Sequence, residues 1–149
     1  MMAELVGGEV ASAVAIKLRE TFTTDELAEL YKDKPEQGQT YPSAFIHIVS
    51  AKSTPLLVNR AEQSFIVDIR CNPDPLNTDS NTWAQKIIAK LQYAMEYISV
   101  STQNVKAISM NSYQEDKVLH FIVKYVFIVV RTPVSVPSME KLTLTERVT

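Results

Sequence analysis

Val118-Leu119-His120-Phe121-Ile122-Val123-Lys124-Tyr125-Val126-Phe127-Ile128-Val129-Val130-Arg131 is the stretch on which the fold turns. Its β-branched and aromatic residues predict a long strand over residues 118–131. In a strand, successive side chains point to opposite faces. Leu119, Phe121, Val123, Tyr125, Phe127 and Val129 then share one face, and Val118, Ile122, Val126, Ile128 and Val130 share the other. Both faces are apolar, so both require cover. The domain's own helices can supply one cover, and another subunit the second.

A second strand is predicted over residues 60–72. Phe65, Val67, Ile69 and Cys71 alternate with Ser64, Asp68 and Arg70, and only Ile66 breaks the pattern. A third is predicted over residues 43–50, after Pro42. Phe45, His47 and Val49 would face one way, and Ala44, Ile46 and Ile48 the other. Residues 51–59 are read as a connection, residues 105–111 as a short strand and residues 112–117 as a loop.

Two helices are expected against this sheet. Val10, Val14 and Leu18 lie four apart and predict a helix over residues 9–22, with Lys17 at the stripe edge. Trp83, Ile87, Ile88, Leu91, Ala94, Met95 and Ile98 form a wider stripe, predicting a helix from Asp79 or Ser80 to about Ile98. Between the first helix and the first long strand, Thr23 and Glu26 are spaced as a capping box. On local chemistry the following residues favour a short helix slightly over an extended segment.

The chain's 149 residues fit one domain of ordinary size. At 46 % hydrophobic and 21 % charged, the composition is that of a globular protein. A net charge of −2 offers no broad basic field for phosphate contacts, so no specific nucleic acid is expected. The one cysteine, Cys71, cannot form an internal disulfide. No membrane-spanning run is present in the sequence, which points to a soluble, intracellular protein with no membrane partner.

Chemistry-bearing clusters are sparse. His47 and His120 sit in predicted strands without ligand spacing, and sheet histidines are the simpler reading. Cys71 falls on the inward face of its strand, which favours a buried structural thiol over a nucleophile. Asp68 and Arg70 share a strand face and are explained by cross-strand ion pairs, although a pocket beside Asp68, Arg70 and His47 is the enzyme alternative. Asp74 and Asp79 flank a helix start, where negative charge is favoured anyway. Glu115-Asp116 reads as a solvated turn. Three glycines, Gly7, Gly8 and Gly38, form no phosphate loop. No catalytic, metal or cofactor site is expected.

Several segments, in order, resemble one family. They are Gln37-Gly38 with Pro42-Ser43-Ala44-Phe45-Ile46; Asn59-Arg60 with Ser64-Phe65-Ile66-Val67-Asp68-Ile69 and Asn72-Pro73; Lys117 through Phe127; and Met139-Glu140-Lys141-Leu142. This set is similar to the phage tail terminator proteins of phages and prophage-like elements of Gram-positive bacteria. The resemblance implies an extended segment, not a helix, over residues 27–32. It implies an α+β fold: a mainly antiparallel sheet of four to five strands packed by two helices, in the order α-β-β-β-α-β-β. Residues 1–132 would form that domain and residues 133–149 a C-terminal extended arm, in which Leu142 and Leu144 lie two apart.

The resemblance also implies a structural role without catalysis. Such proteins form a ring, commonly a hexameric one, on the head-proximal end of a tail tube and stop its growth. Partners would be further copies of the chain, the tube protein, the neck or head-completion (collar) proteins and, in a contractile tail, the sheath protein. The particle would be a phage or a headless tail-like bacteriocin, assembled in the bacterial host cytoplasm. A neck or baseplate adaptor of the same particle is the alternative. The expected subunit joint comprises Val118, Ile122, Val126 and Ile128 on the long strand, with Met139, Leu142 and Leu144 on the arm. Residues 1–8 have no expected role.

Overall fold

The computed structural model of the chain describes residues 2–3, 5–31, 40–101 and 103–131. Its elements are β1 (Met2–Ala3), α1 (Gly7–Thr21), β2 (Glu29–Tyr31), β3 (Ser43–Pro55), β4 (Arg60–Asn72), α2 (Ser80–Ala94), β5 (Tyr97–Val100), β6 (Gln103–Glu115) and β7 (Val118–Val130). The fold is α+β. A curled, mixed sheet runs in the order β2-β3-β4-β7-β6-β5, and β1 pairs with β7 off that path. All pairings are antiparallel except β2 with β3 and β1 with β7.

The long strand takes the centre, as its composition demands. Leu119, Phe121, Val123, Tyr125, Phe127 and Val129 are buried against α1, α2 and the inward residues of β4. Phe65 and Phe127 meet edge to face with centroids 5.8 Å apart. On α1, Val10, Val14 and Leu18 are fully buried; on α2, Ile87, Leu91 and Ala94 are. Asp79 caps α2, its carboxylate accepting from the Thr82 amide at 3.4 Å. The Tyr125 hydroxyl donates to the Met95 carbonyl at 2.6 Å and so ties the end of α2 to the central strand.

The sheet has more strands than the four to five expected, and the differences have local causes. The second helix ends at Ala94 with Met95 as its C-cap, not near Ile98. Met95 and Ile98 are buried as expected, but Ile98 reaches the core from β5, where exposed and buried residues alternate. β3 continues to Pro55 through the segment expected to be a connection. Beyond a bulge at Val49 its residues are exposed on both faces, which erases the alternation that marks a half-buried strand. β6 likewise absorbs most of the expected 112–117 loop. Asp116 and Lys117 both adopt positive φ, at 50° and 68°, and make a two-residue hairpin turn without glycine.

The capping-box chemistry forms and stops after one turn. Glu26 accepts from the Thr23 amide at 2.9 Å, and the Glu26 and Leu27 amides donate back to the Thr23 carbonyl. The chain then extends as β2, in agreement with the extended segment implied by the family resemblance. The peptide between Tyr41 and Pro42 is cis. The arm expected from residue 133 onward lies outside the described residues.

The described residues ahead of α1, for which no role was expected, have a place. β1 lies on β7 with Met2 opposite Val129 and Ala3 opposite Val130. Just beyond it, the buried Gln63 side chain holds the Leu5 backbone twice: its Oε1 accepts from the Leu5 amide at 2.9 Å, and its Nε2 donates to the Leu5 carbonyl at 3.2 Å. Leu5 itself is buried. The chain then enters α1, where the Glu9 carboxylate accepts from the Val6 amide.

Candidate assembly surfaces

The helices cover only one face of β7. The other face carries Val118, His120, Ile122, Lys124, Val126, Ile128 and Val130, and among the described residues no helix lies over it. Val118, Ile122 and Val126 are half-buried by sheet neighbours, whereas Ile128 and Val130 are 42 % and 39 % exposed. The second cover expected for the strand is therefore not supplied by the described part of the chain. Four of the expected joint residues, Val118, Ile122, Val126 and Ile128, do share this open face. Met139, Leu142 and Leu144 lie outside the described residues.

Cross-strand register fixes what surrounds them. Asp68 lies between His47 of β3 and Ile122 of β7; Arg70 lies between Phe45 and His120. Tyr113 of β6 sits opposite His120 and stacks on its imidazole, centroids 4.7 Å apart and planes within 5°. Nδ1 of His120 is 3.0 Å from Asp68 Oδ2. Both residues are buried, at 9 % and 6 % exposure. The cross-strand partner of Asp68 is thus His120, diagonally placed on the same face of the neighbouring strand. A buried carboxylate needs such a partner. The trio Tyr113–His120–Asp68 joins β6, β7 and β4 and pins their register at one end of the open face.

The remaining polar residues fall into structural roles. Cys71 is fully buried on the opposite face from Asp68 and His120, so neither imidazole side of the pair reaches it. Burial pushes its thiol well above the ordinary range, and the charge of Asp68 adds to this, the reverse of an activated nucleophile. His47 is exposed. Asp74 accepts from the Leu76 amide at 2.9 Å in the turn before α2. Among the described residues, no three of His, Cys, Asp or Glu converge as a metal site.

Two further surface features had no sequence signal. The first is the β3–β4 turn, where Leu57 and Val58 are 88 % and 81 % exposed and Leu56 is partly so. Val58 holds φ at 46°, an unfavourable region for a β-branched residue. The turn lies beside the end of β7, since the Arg131 amide donates to the Asn59 carbonyl at 2.7 Å.

The second is an interruption of the sheet between β6 and β7. Antiparallel pairing runs from Glu115 opposite Val118, passes a bulge at Ile108 and ends at Ala107 opposite Tyr125. β6 then turns to pair with β5 over residues 103–106. β4 occupies the other edge of β7 throughout, so β1 takes up the edge that β6 has left, but only at Val129 and Val130. Between them, residues 126–128 have no strand partner on that edge among the described residues. A cleft of about 460 Å³ opens there, walled by residues 103–106 and 126–128.

No helix among the described residues is long and apolar enough to cross a membrane. None of the curated proteins compared matches the sequence. The family model of the phage tail terminator protein, however, matches residues 9–137, from the first turn of α1 through β7 and past it. The match takes in the central strand, its open face and both helices, and the chain belongs to the phage tail terminator family.

Proposed function

We propose that the chain is a non-catalytic tail terminator: copies join into a ring, hexameric in the family pattern, on the head-proximal end of a tail tube. The ring stops tube polymerisation and presents a docking surface to neck or head-completion proteins, and to the sheath where the tail is contractile. The family supports a structural role in tail assembly. The observation that carries the ring is the open face of β7, where Ile122, Val126, Ile128 and Val130 lie in line with no helix over them among the described residues. Apolar surface of this kind gains about 25 cal/mol for each Å² removed from water, so it favours burial between copies. A contact that is not self-complementary, repeated around an axis, closes into a ring when its rotation allows. In this reading Val118, Ile122, Val126 and Ile128 meet the next copy, and the arm bearing Met139, Leu142 and Leu144 reinforces the joint.

Placement in the particle tests the proposal. Gold-labelled antibody against the chain should mark one end of each tail, the head-proximal end, with six copies by quantitative mass spectrometry. Label at the baseplate end would overturn it in favour of an adaptor.

A further inference from the structure

The interruption between β6 and β7 points to an occupant. Among the described residues, residues 126–128 of this central strand have no strand partner on one edge, and such an edge offers main-chain donors and acceptors to any extended segment that enters. Entry of such a segment completes the ladder, with main-chain bonds supplying affinity and alternate side chains supplying specificity. The cleft is open at the side, and its β7 wall carries Val126 and Ile128 two positions apart on one face.

The chain has a segment with the matching pattern. Eighteen residues follow Arg131, and they include Leu142-Thr143-Leu144. As an added strand this triplet places Leu142 and Leu144 on one face, beside Val126 and Ile128. Thr143 then points to the opposite face, on the side of Phe127. Cross-strand apolar pairs of this kind are the unit of sheet stabilisation, each worth about 0.2–1 kcal/mol. Leu144 lies thirteen residues beyond Arg131, a reach of about 40 Å when extended.

The geometry favours a second copy as the donor. The chain leaves β7 at Arg131, whose amide is held by the Asn59 carbonyl on the β4 side. On the other side, β1 occupies the edge of β7 at Val129 and Val130, between that exit and the cleft. A direct hairpin from β7 back into its own cleft is therefore blocked, and a segment arriving from a neighbour is not. We infer that the cleft beside residues 126–128 receives the Leu142-Thr143-Leu144 segment of an adjacent copy as an added strand. The inference rests on the ring proposed above and specifies how its members are linked.

Disulfide trapping in isolated tails tests it. Single-chain double variants pair Val126→Cys or Ile128→Cys with Leu142→Cys or Leu144→Cys, with Cys71 left in place because it is buried. The expected result is a ladder of covalent multimers on non-reducing gels from tails of normal length. It should be absent from each single-cysteine parent. Only intrachain disulfides, seen as monomers of altered mobility, would overturn the inference in favour of a self-docked arm. Tails that carry the variants at their end yet give no disulfide in any of the four pairings would overturn it while leaving the ring reading intact. If the chain is missing from tail ends in the wild type as well, the ring reading itself fails and the inference falls with it.

Discussion

Tyr125→Phe removes one oxygen from the centre of the molecule. Tyr125 is fully buried, and its hydroxyl donates to the Met95 carbonyl at 2.6 Å across the junction of β7 and α2. Phenylalanine keeps the ring and its packing, so the loss is the hydrogen bond and the satisfaction of a buried acceptor. The bond itself contributes about 0.5–1.5 kcal/mol net, and an acceptor left unsatisfied raises the cost to about 1–3 kcal/mol. In urea, with a slope of about 2 kcal/mol per M for a protein of this size, that is a midpoint lower by about 0.5–1.5 M at unchanged slope. The pH dependence gives a second readout. Burial pushes the Tyr125 phenol above its ordinary value of 10.0. The folded state therefore retains a proton that the unfolded chain releases, and stability falls as pH rises from the ordinary phenol value through the folded one. The wild type should lose stability in that alkaline window, and Tyr125→Phe should lack that component. A midpoint shift equivalent to less than about 0.5 kcal/mol, the range of surface substitutions, would refute the reasoning.

Three other perturbations separate local causes. Glu26 bonds Lys90 at 2.6 Å and the Thr23 amide, and both hold its carboxyl below the ordinary carboxylate value, Lys90 most. Its contribution is present above that ordinary value and lost as pH falls through the folded one. Glu26→Gln should thus cost about 0.5 kcal/mol at neutral pH, as expected for a part-exposed pair, and nothing in strong acid; thermal melts across pH check this. Gln63→Leu removes both bonds to the Leu5 backbone and should cost about 1–3 kcal/mol, with faster hydrogen exchange at Leu5; unchanged exchange would show that the clamp is unimportant. Val58→Asn relieves a left-handed β-branched residue in an exposed turn and should stabilise by roughly 1 kcal/mol in urea unfolding, whereas a loss would mean Val58 packs against something in the monomer.

What could be read from the sequence follows the physics of patterning. β7 was legible because a long run of β-branched and aromatic residues reads as a strand, and apolar residues on both of its faces call for cover on both. The inward residues of β4 and the stripes of α1 and α2 were legible for the same reason. Where a strand is wet on both faces, as in residues 50–55, alternation vanishes and the strand reads as a loop. Met95 and Ile98 satisfy a helical spacing by coincidence, since the helix ends at Ala94, Met95 is its C-cap and Ile98 belongs to β5. Polar partners were not legible at all. Which cross-strand residue Asp68 meets, and whether Gln63 or Tyr125 has a backbone partner, depends on register and packing that only the folded chain sets. The open face of β7 was foreseeable as a face needing cover. The cleft beside it was not, because a break in a ladder leaves no mark in composition.

The account rests most directly on tail length. A particle lacking the chain should assemble tube protein into tails of variable and excessive length, without heads attached where heads exist. Supplying the wild-type chain in trans should restore a single length, and supplying an Ile122→Asp/Ile128→Asp variant should not. Measured by electron microscopy over many particles, tails of one normal length in the absence of the chain would contradict the account.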